Sequence, residues 1–429
     1  MQPGFNIART TVRAAIVGAA LMVTACESAL DVVTTSRIPA ENVETPANAQ
    51  LLIDGAIADF ECAFASYVVQ SATVGEEFIY AQQTADRTPP DARRTTEVDP
   101  RYATFGCTAL GIYVPLQTAR GSAETALGYL KVWTDAEVPT NRTNLIAIAA
   151  AYAGYSYVLL GEGFCTMAVS RISPDRSIDY GGEIQRDSVF RIAIARFDEA
   201  IAAGQTAGNT DIVRMATLGR ARAKLNLGDH AGAKADAQQI PAGYLKNATY
   251  SDAIARRNNF VFGDNAPTNR ASSIGIPYRT INDTRVPIVN GNFTTPGTSV
   301  QHFYQTKYAN GSAPIPLATY EEAQLIIAEA DIRANSLGTA LPILNASRTR
   351  GGQTPFAGTT QAEYLAELVD QRRRELFLES HHLGDIIRYG IPITPVAGTP
   401  YHFGGGVYGT QTCFPLPAAE KQNNPLIGS

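Results

Sequence analysis

Apolar side chains fall three and four residues apart over several long stretches of the chain, the spacing that lines one face of a helix. From Thr45 to about Tyr80 the stripe runs through Leu51, Ile57, Phe60, Phe64 and Val68. It resumes from about Tyr102 to Trp133 and from Thr140 to Leu160, where Ala is abundant and few Gly or Pro intervene, which favours tight helix packing. Residues 81–100 carry prolines and charges and no stripe, and so predict a long exposed loop. On a helix from Gln361, Leu365, Val369, Arg372 and Leu376 share one face. Between about 242 and 316 the composition shifts to Asn, Thr, Gly, Pro and Tyr. A stretch of that length without helical period, inside a helical protein, is usually a functional insertion. Irregular sequence returns at 391–429, with Gly404-Gly405-Gly406. The pattern predicts a mainly all-α scaffold with long irregular loop insertions gathered on top.

Residues 185–241 add a repeat signal. Ala193-x3-Phe197-x2-Ala200 has the small–aromatic–small spacing of a tetratricopeptide second helix, whose small residues let a neighbouring helix approach. Asn226-Leu227-Gly228-Asp229-His230-x2-Ala233 reads as the turn and second helix of another unit, ending at Pro241. A weaker copy follows at Ala328-Glu329-Ala330, Leu337-Gly338, Ala340 and Leu344. The spacing is irregular, so a tetratricopeptide-like scaffold is expected rather than a regular solenoid, with generic helical hairpins as the alternative.

The N-terminus changes the picture. Arg9 and Arg13 precede an apolar run from Ala14 to Val23, followed by Thr24-Ala25-Cys26. This is the build of a secretory signal, too short for a bilayer core that needs about 20 apolar residues. Val-Thr-Ala-Cys resembles the bacterial lipobox, in which the Cys becomes a lipidated first residue. The expected organisation is a signal peptide at 1–25, a lipidated N-terminus and tether at 26–44, and a helical domain at 45–429. Export places Cys62, Cys107, Cys165 and Cys413 in an oxidising compartment. Four cysteines allow three pairings, among which sequence does not choose. One arrangement, Cys165 with Cys413 and Cys62 with Cys107, would pin the tail to the scaffold and join the first two helical regions.

Composition removes several function classes. Charged residues make up 17% and hydrophobic ones 45%, which excludes a disordered chain. With 35 basic and 40 acidic side chains and no long basic run, no nucleic-acid partner is expected. Asp, Glu and His are scattered and no Cys-x-x-Cys occurs, so neither a metal site nor a cofactor is expected. No Gly-x-Ser-x-Gly, His-Glu-x-x-His or phosphate loop is present. Glu76-Glu77 is the nearest carboxylate pair, but neighbours on a helix point about 100° apart. No catalytic residues are assigned.

The C-terminal third is the most specific part. Glu322-Ala323-x-Leu325-Ile326-x-Ala328-Glu329-Ala330 is followed by Leu341-x2-Leu344-Asn345-x2-Arg348-x-Arg350-Gly351. Then come Arg372-Arg373-x-Glu375-Leu376-x2-Glu379, Asp385-x2-Arg388-Tyr389-Gly390 and Pro415-Leu416-Pro417-x2-Glu420. In this order, after a lipobox and tetratricopeptide-like helices, the chain resembles the RagB/SusD family of outer-membrane nutrient-binding lipoproteins. It departs from the family pattern at Gln371, Ser380, His382 and Tyr389, where an acid, Gly, Arg and Trp are the rule. Read physically, a buried Arg372 needs a partner, with Glu375 or Glu379 in reach, so Arg372, Glu375, Glu379, Asp385 and Arg388 are expected to lock helices together. His381-His382 reads as a solvated helix end.

The resemblance implies a SusD-like fold, with the insertion at about 242–316 and the motif region at about 317–429. It also implies a lipid-anchored protein on the outer membrane, facing the exterior and touching the membrane only through its anchor. Its partners would be an oligosaccharide or peptide ligand and a SusC-like TonB-dependent transporter that receives it. A helical-repeat envelope scaffold is the alternative, and a secreted glycoside hydrolase a more remote one. One Trp beside 19 Tyr and 16 Phe makes a poor Trp-based sugar surface, so Tyr and Phe would have to serve. In the resembled family the binding face comes from loops near the early helices and from the insertion, here 76–102 and 242–316. The ligand candidates are therefore Glu76, Glu77, Tyr80, Arg93, Tyr102, Tyr278 and Tyr304, aromatics for stacking beside charged donors and acceptors.

Overall fold

The computed structural model describes residues 40–173 and 175–427. The signal segment and Cys26 lie outside them. Residues before Pro46 form a separate unit, of which a short helix, Ala40–Val43, is described. From Pro46 onward the long helices are Ala49–Val74 (α1), Tyr113–Val132 (α2), Arg142–Gly163 (α3), Arg186–Ala207 (α4), Thr210–Asn226 (α5) and His230–Ala237 (α6). After the insertion follow Tyr320–Arg333 (α7), Leu337–Arg350 (α8), Gln361–Glu375 (α9) and His382–Tyr389 (α10). Each of α1 to α5 packs on its successor, α6 bridges α5 and α7, and α8 and α9 pack on α7.

Side chains close the helix ends that backbone cannot. Asn141, Asn209, Asp229 and Thr319 each accept a backbone N–H at an N-terminus, and Thr360 with Glu363 forms a capping box at α9. α3 is apolar on every face. It is long and apolar enough to cross a bilayer, yet 83% of that window is buried inside the protein, so it is the central core helix. The repeat signature packs against it: Ala193, Phe197 and Ala200 on α4 are fully buried. The Phe197 ring lies where a Cβ on Gly154 of α3 or Gly219 of α5 would stand, at 2.6 and 2.4 Å. Glycine at those positions is what lets both helices close on one aromatic ring.

Several expectations need correction. The first helix stops at Val74, and Glu76 adopts a left-handed φ of 65° in the turn before strand Phe78–Tyr80. Glu76-Glu77 are thus not helical neighbours. Residues 81–100 are not an exposed loop: they contain the short helix Thr88–Asp91, and Arg87, Asp91, Arg93 and Thr95 are buried. What covers them is the C-terminal segment. Tyr401 donates its hydroxyl to Asp91 at 2.8 Å, Gly409 N–H donates to Ala92 O at 2.8 Å, and Gln411 accepts the Thr95 N–H at 2.9 Å. The insertion carries its own short strands. Leu245–Ala248 pairs with Ile315–Thr319, Ser272–Ile274 with Phe78–Tyr80, and Ile288–Thr294 with Gln301–Gln305, all antiparallel.

Cys62 is bonded to Cys107 and Cys165 to Cys413. Beside the second bridge Phe414 N–H donates to Gly163 O at 2.8 Å, and Cys165 N–H to Phe414 O at 2.9 Å. In the motif region Arg372 pairs with Asp385 at 2.8 Å, not with Glu375 or Glu379. Glu375 is taken by Arg285 at 2.6 Å, and Glu379 by Lys307. Asp385 also holds Arg388 at 2.8 Å, and Arg388 reaches Glu329 on α7 at 2.7 Å. α10 folds back on α9, so partners thirteen residues apart in sequence displace those at helical spacing. His381 and His382 are buried, not solvated: His381 Nε2 lies 3.1 Å from Glu322, and His382 Nε2 3.6 Å from Glu76. Ser380, which replaces a family glycine, has φ of 73°, a left-handed backbone that Gly adopts without strain.

Asp91 gives this region a pH dependence. Burial pushes its carboxyl up to about 7, against the Tyr80 N–H and the Tyr401 hydroxyl, which favour the ion. Between the unfolded value near ~4 and this raised value, the folded state binds a proton the unfolded state lacks. Its contribution to stability therefore falls as pH rises through that window, with a slope approaching ~1.4 kcal/mol per pH unit. Asp91→Asn should flatten urea midpoints across that range and raise stability at pH 7. An unchanged slope in the variant would show that Asp91 does not titrate there.

Candidate functional site: a polar cleft between three loops

The pairing of Phe78–Tyr80 with Ser272–Ile274 brings the chain just after the first strand against the chain just before the second. Ala81 N–H donates to Ala271 O and Gln82 Nε2 to Asn269 O, both at 2.9 Å. The turn of the Ile288–Thr294/Gln301–Gln305 hairpin joins them, its bend made possible by Gly297 at φ of 77°. Thr298 Oγ1 donates to Ala81 O at 3.1 Å, and Thr295 Oγ1 to Arg270 O at 3.4 Å.

These three loops enclose an open cleft of about 650 Å³. Its walls are the amides of Gln82, Gln83 and Asn269 and the hydroxyls of Thr84, Thr268 and Thr298. Pro296 and Gly297 form a lip, and Arg270 is the one charged side chain among the lining residues. Arg270 has φ of 58° and donates from Nε to Pro267 O at 2.6 Å. Its guanidinium sits 4.3 Å above the Phe293 ring. Phe293 in turn stacks on His302 at 5.3 Å, and His302 on Tyr304 at 5.9 Å. His302 is buried with neither ring nitrogen hydrogen-bonded, and burial, then the charge of Arg270, pushes its pKa down to about 4. The column is therefore a neutral ring stack capped by one cation.

Planar amides each offer donors and acceptors, and hydroxyls offer both, so this wall suits a ligand rich in hydroxyl groups. It holds no carboxylate. Hydrolysis of a glycosidic bond by a carboxylate pair has no acid or base to use among the lining side chains.

Of the sequence candidates, Glu76, Glu77, Tyr80, Arg93, Tyr102 and Tyr278 are buried, and only Tyr304 is partly exposed. They hold the loops down. Glu77 accepts the Leu378 N–H at 2.7 Å and Tyr278 stacks on Phe377 at 5.1 Å. Tyr102 donates to Pro415 O at 3.0 Å, and Tyr80 accepts from Gln70 at 3.0 Å. Arg93 lies 5.0 Å over Tyr408 and donates to Pro395 O, while Glu76 accepts the Thr394 N–H. The expectation that these aromatics and charges face solvent is thus corrected: segments about 100 to 320 residues away in the chain bury them. The void beside Glu76, Asp91 and Arg93 is about 10 Å³, room for one water. A hollow of about 540 Å³ at Glu97, Lys421 and Asn424 has its cation already paired, Lys421 to Glu97 at 2.6 Å. The cleft lies between the two segments that sequence singled out, but the residues that line it are amides, threonines and Arg270. Their only sequence signal was the clustering of Gln82-Gln83-Thr84 and Thr268-Asn269-Arg270 in segments without core periodicity.

Residues 222–425 match the family model described as the SusD family. No curated protein matches the chain by sequence. Among solved structures, a SusD superfamily protein from Bacteroides fragilis superposes with a TM-score of 0.67 at 14% identity, covering 90% of this chain and 99% of that one. A SusD-like carbohydrate binding protein from Bacteroides vulgatus gives 0.66 at 14% identity, covering 89% and 97%. Surface glycan-binding protein A from Bacteroides thetaiotaomicron, in complex with laminarihexaose, gives 0.67 at 14% identity, covering 89% and 98%. At such identities these likenesses show the fold, and the family model adds the sequence signature over α6 to α10. The mainly helical SusD fold of the chain thus goes with the sequence signature of the SusD family over residues 222–425, which spans the ion-paired region of Glu329, Arg372, Asp385 and Arg388.

Proposed function

We propose that this protein is a lipid-anchored, surface-exposed glycan-binding protein that captures an oligosaccharide and passes it to a TonB-dependent outer-membrane transporter. The observation that carries the reading is the open cleft walled by amides and hydroxyls and free of carboxylates. A hydroxyl-rich chain is read by many such hydrogen bonds, each contributing about 1 kcal/mol. Supporting it, a protein of the same fold is held in complex with laminarihexaose. SusD family glycan-binding proteins are non-catalytic, in keeping with a binding role. The anchor and the transporter rest on the lipobox-like Val-Thr-Ala-Cys26 and on the SusD family signature.

Calorimetry against a panel of oligosaccharides and peptides tests the reading. At least one oligosaccharide should bind, and Gln83→Ala combined with Asn269→Ala should weaken it about tenfold or more with the melting temperature unchanged, since two lost hydrogen bonds approach the ~1.4 kcal/mol of a tenfold change. Binding of peptides alone, or full affinity in the double variant, would place the site elsewhere. For the anchor, Cys26→Ser should move the protein from the membrane fraction to the soluble one, and continued palmitate labelling of the variant would refute lipidation at Cys26.

A further inference from the structure

Most guanidinium groups drawn into the protein are given a carboxylate. Arg87 has Asp264 at 2.8 Å, Arg196 has Glu124 at 2.7 Å, Arg222 has Glu162 at 2.6 Å and Arg388 has Glu329 at 2.7 Å. Arg270 has none among the described residues. It is half-buried at the wall of the cleft, with Nε committed to Pro267 O and one face on Phe293. That leaves its two terminal nitrogens for an acceptor entering from solvent. Arg279 is likewise without a carboxylate among the described residues: it lies 4.7 Å over Phe303, donates from Nε to Ile274 O at 2.8 Å and from a terminal nitrogen to Ser273 Oγ at 3.5 Å, and burial alone accounts for its lowered pKa. Phe293 and Phe303, the rings these two cations cap, both belong to the Ile288–Thr294/Gln301–Gln305 strand pair. The charge left uncompensated there is felt by His302, whose imidazolium form is disfavoured by burial and then by both arginines.

We propose that the cleft selects oligosaccharides bearing an anionic group, a carboxylate or a sulfate, docked on the terminal nitrogens of Arg270. This deepens the reading of the cleft as an oligosaccharide site and rests on it. A guanidinium whose position is held by a ring face and a backbone carbonyl presents a pre-set fork, which suits two parallel hydrogen bonds to a planar carboxylate or to two sulfate oxygens. Gln83, Asn269 and Thr84 then read the neutral hydroxyls on either side. Because no lining carboxylate competes for Arg270, a neutral sugar leaves the cation with water only, and an acidic one supplies the missing partner.

The test is calorimetry of the wild-type protein with matched pairs of probes: oligogalacturonate and its methyl ester, glucuronoxylan and xylan oligosaccharides, and sulfated and desulfated galactan oligosaccharides. Arg270→Gln is run beside it, with melting temperature as a folding check. The expected result is at least tenfold tighter binding of an acidic member than of its neutral twin, with the ratio falling below about threefold in Arg270→Gln. Which acidic arm binds identifies carboxylate or sulfate as the source. If neutral members bind as tightly as acidic ones, or if the variant keeps the preference, this inference fails while the glycan reading stands. If no oligosaccharide of either kind binds, the glycan reading itself fails. The wild-type ratio decides the matter even if Arg270→Gln does not fold.

Discussion

Replacing Gly219 with Val should cost well over ~3 kcal/mol of stability and leave little folded protein at 37 °C, although the position is buried, apolar and in the middle of a helix. On helix propensity alone, losing a mid-helix Gly should help by several tenths to about 1 kcal/mol. Packing overrides this. A Cβ at Gly219 would stand 2.4 Å from the end of the Phe197 ring and 2.9 Å from the Tyr155 ring, both of them fully buried and rigid. The ring has little room to retreat, because it packs so closely on α3 that a Cβ at Gly154 would also stand 2.6 Å from it, and Tyr155 meets it edge-on with centroids 5.2 Å apart. Even Gly219→Ala should lose about 1–3 kcal/mol by overpacking. Urea denaturation checks both. The mechanism predicts strong coupling: Phe197→Leu should cost much less in the Gly219→Ala background than alone. Additive costs would show that the two residues do not contest the same space.

Removing the carboxylate of Asp385 should be nearly as damaging. Its two oxygens hold the guanidinium groups of Arg372 and Arg388, each at 2.8 Å, and Arg372 has no other carboxylate within ion-pair distance among the described residues. Asp385→Ala therefore strands a buried cation, a change that costs about 3–5 kcal/mol in comparable sites. Despite a burial penalty that acts the other way, the two arginines hold the Asp385 carboxyl well below the ordinary aspartate range. A depressed folded-state pKa contributes stability that is present above the unfolded value near ~4 and is lost as pH falls towards the folded one. Wild type should accordingly lose stability on acidification below that value, and Asp385→Asn should lose less over the same range while being weaker at pH 7. Denaturation curves between pH 2 and 7 with equal slopes for both proteins would remove Asp385 from the acid response. The sign is opposite to that of Asp91, whose raised pKa favours the fold at lower pH, and the pair tells the two burial environments apart.

The elements that sequence described well are those whose information is local. Helical period in Ile57, Phe60, Phe64 and Val68 marks α1, and Ala193, Phe197 and Ala200 report that α4 has an approaching neighbour, because small–aromatic–small spacing has one simple use on a helix. The family pattern from Glu322 to Arg388 was also readable, since it is set by residue identity at fixed intervals. For contacts the same pattern misleads: helical spacing offers Glu375 or Glu379 to Arg372, and the turn at Ser380 instead delivers Asp385.

The site shows the same division. Sequence determined the helical scaffold and marked two segments, 76–102 and 242–316, as lacking core periodicity. Tertiary structure alone decided which side chains in those segments meet solvent. Tyr80, Arg93, Tyr102 and Tyr278 look available in sequence because no apolar period accompanies them. They are buried because strand Ser272–Ile274 and the segments 376–379 and 394–415 settle on them from about 100 to 320 residues away. Gln83, Asn269 and Arg270 look unremarkable in sequence and remain at the surface because the strand pairing Phe78–Tyr80 with Ser272–Ile274 ends just before them. Periodicity records the contacts of a residue with its own helix and its immediate neighbours, whereas exposure depends on what the rest of the chain brings to cover it, and that is fixed only when the long-range pairs close.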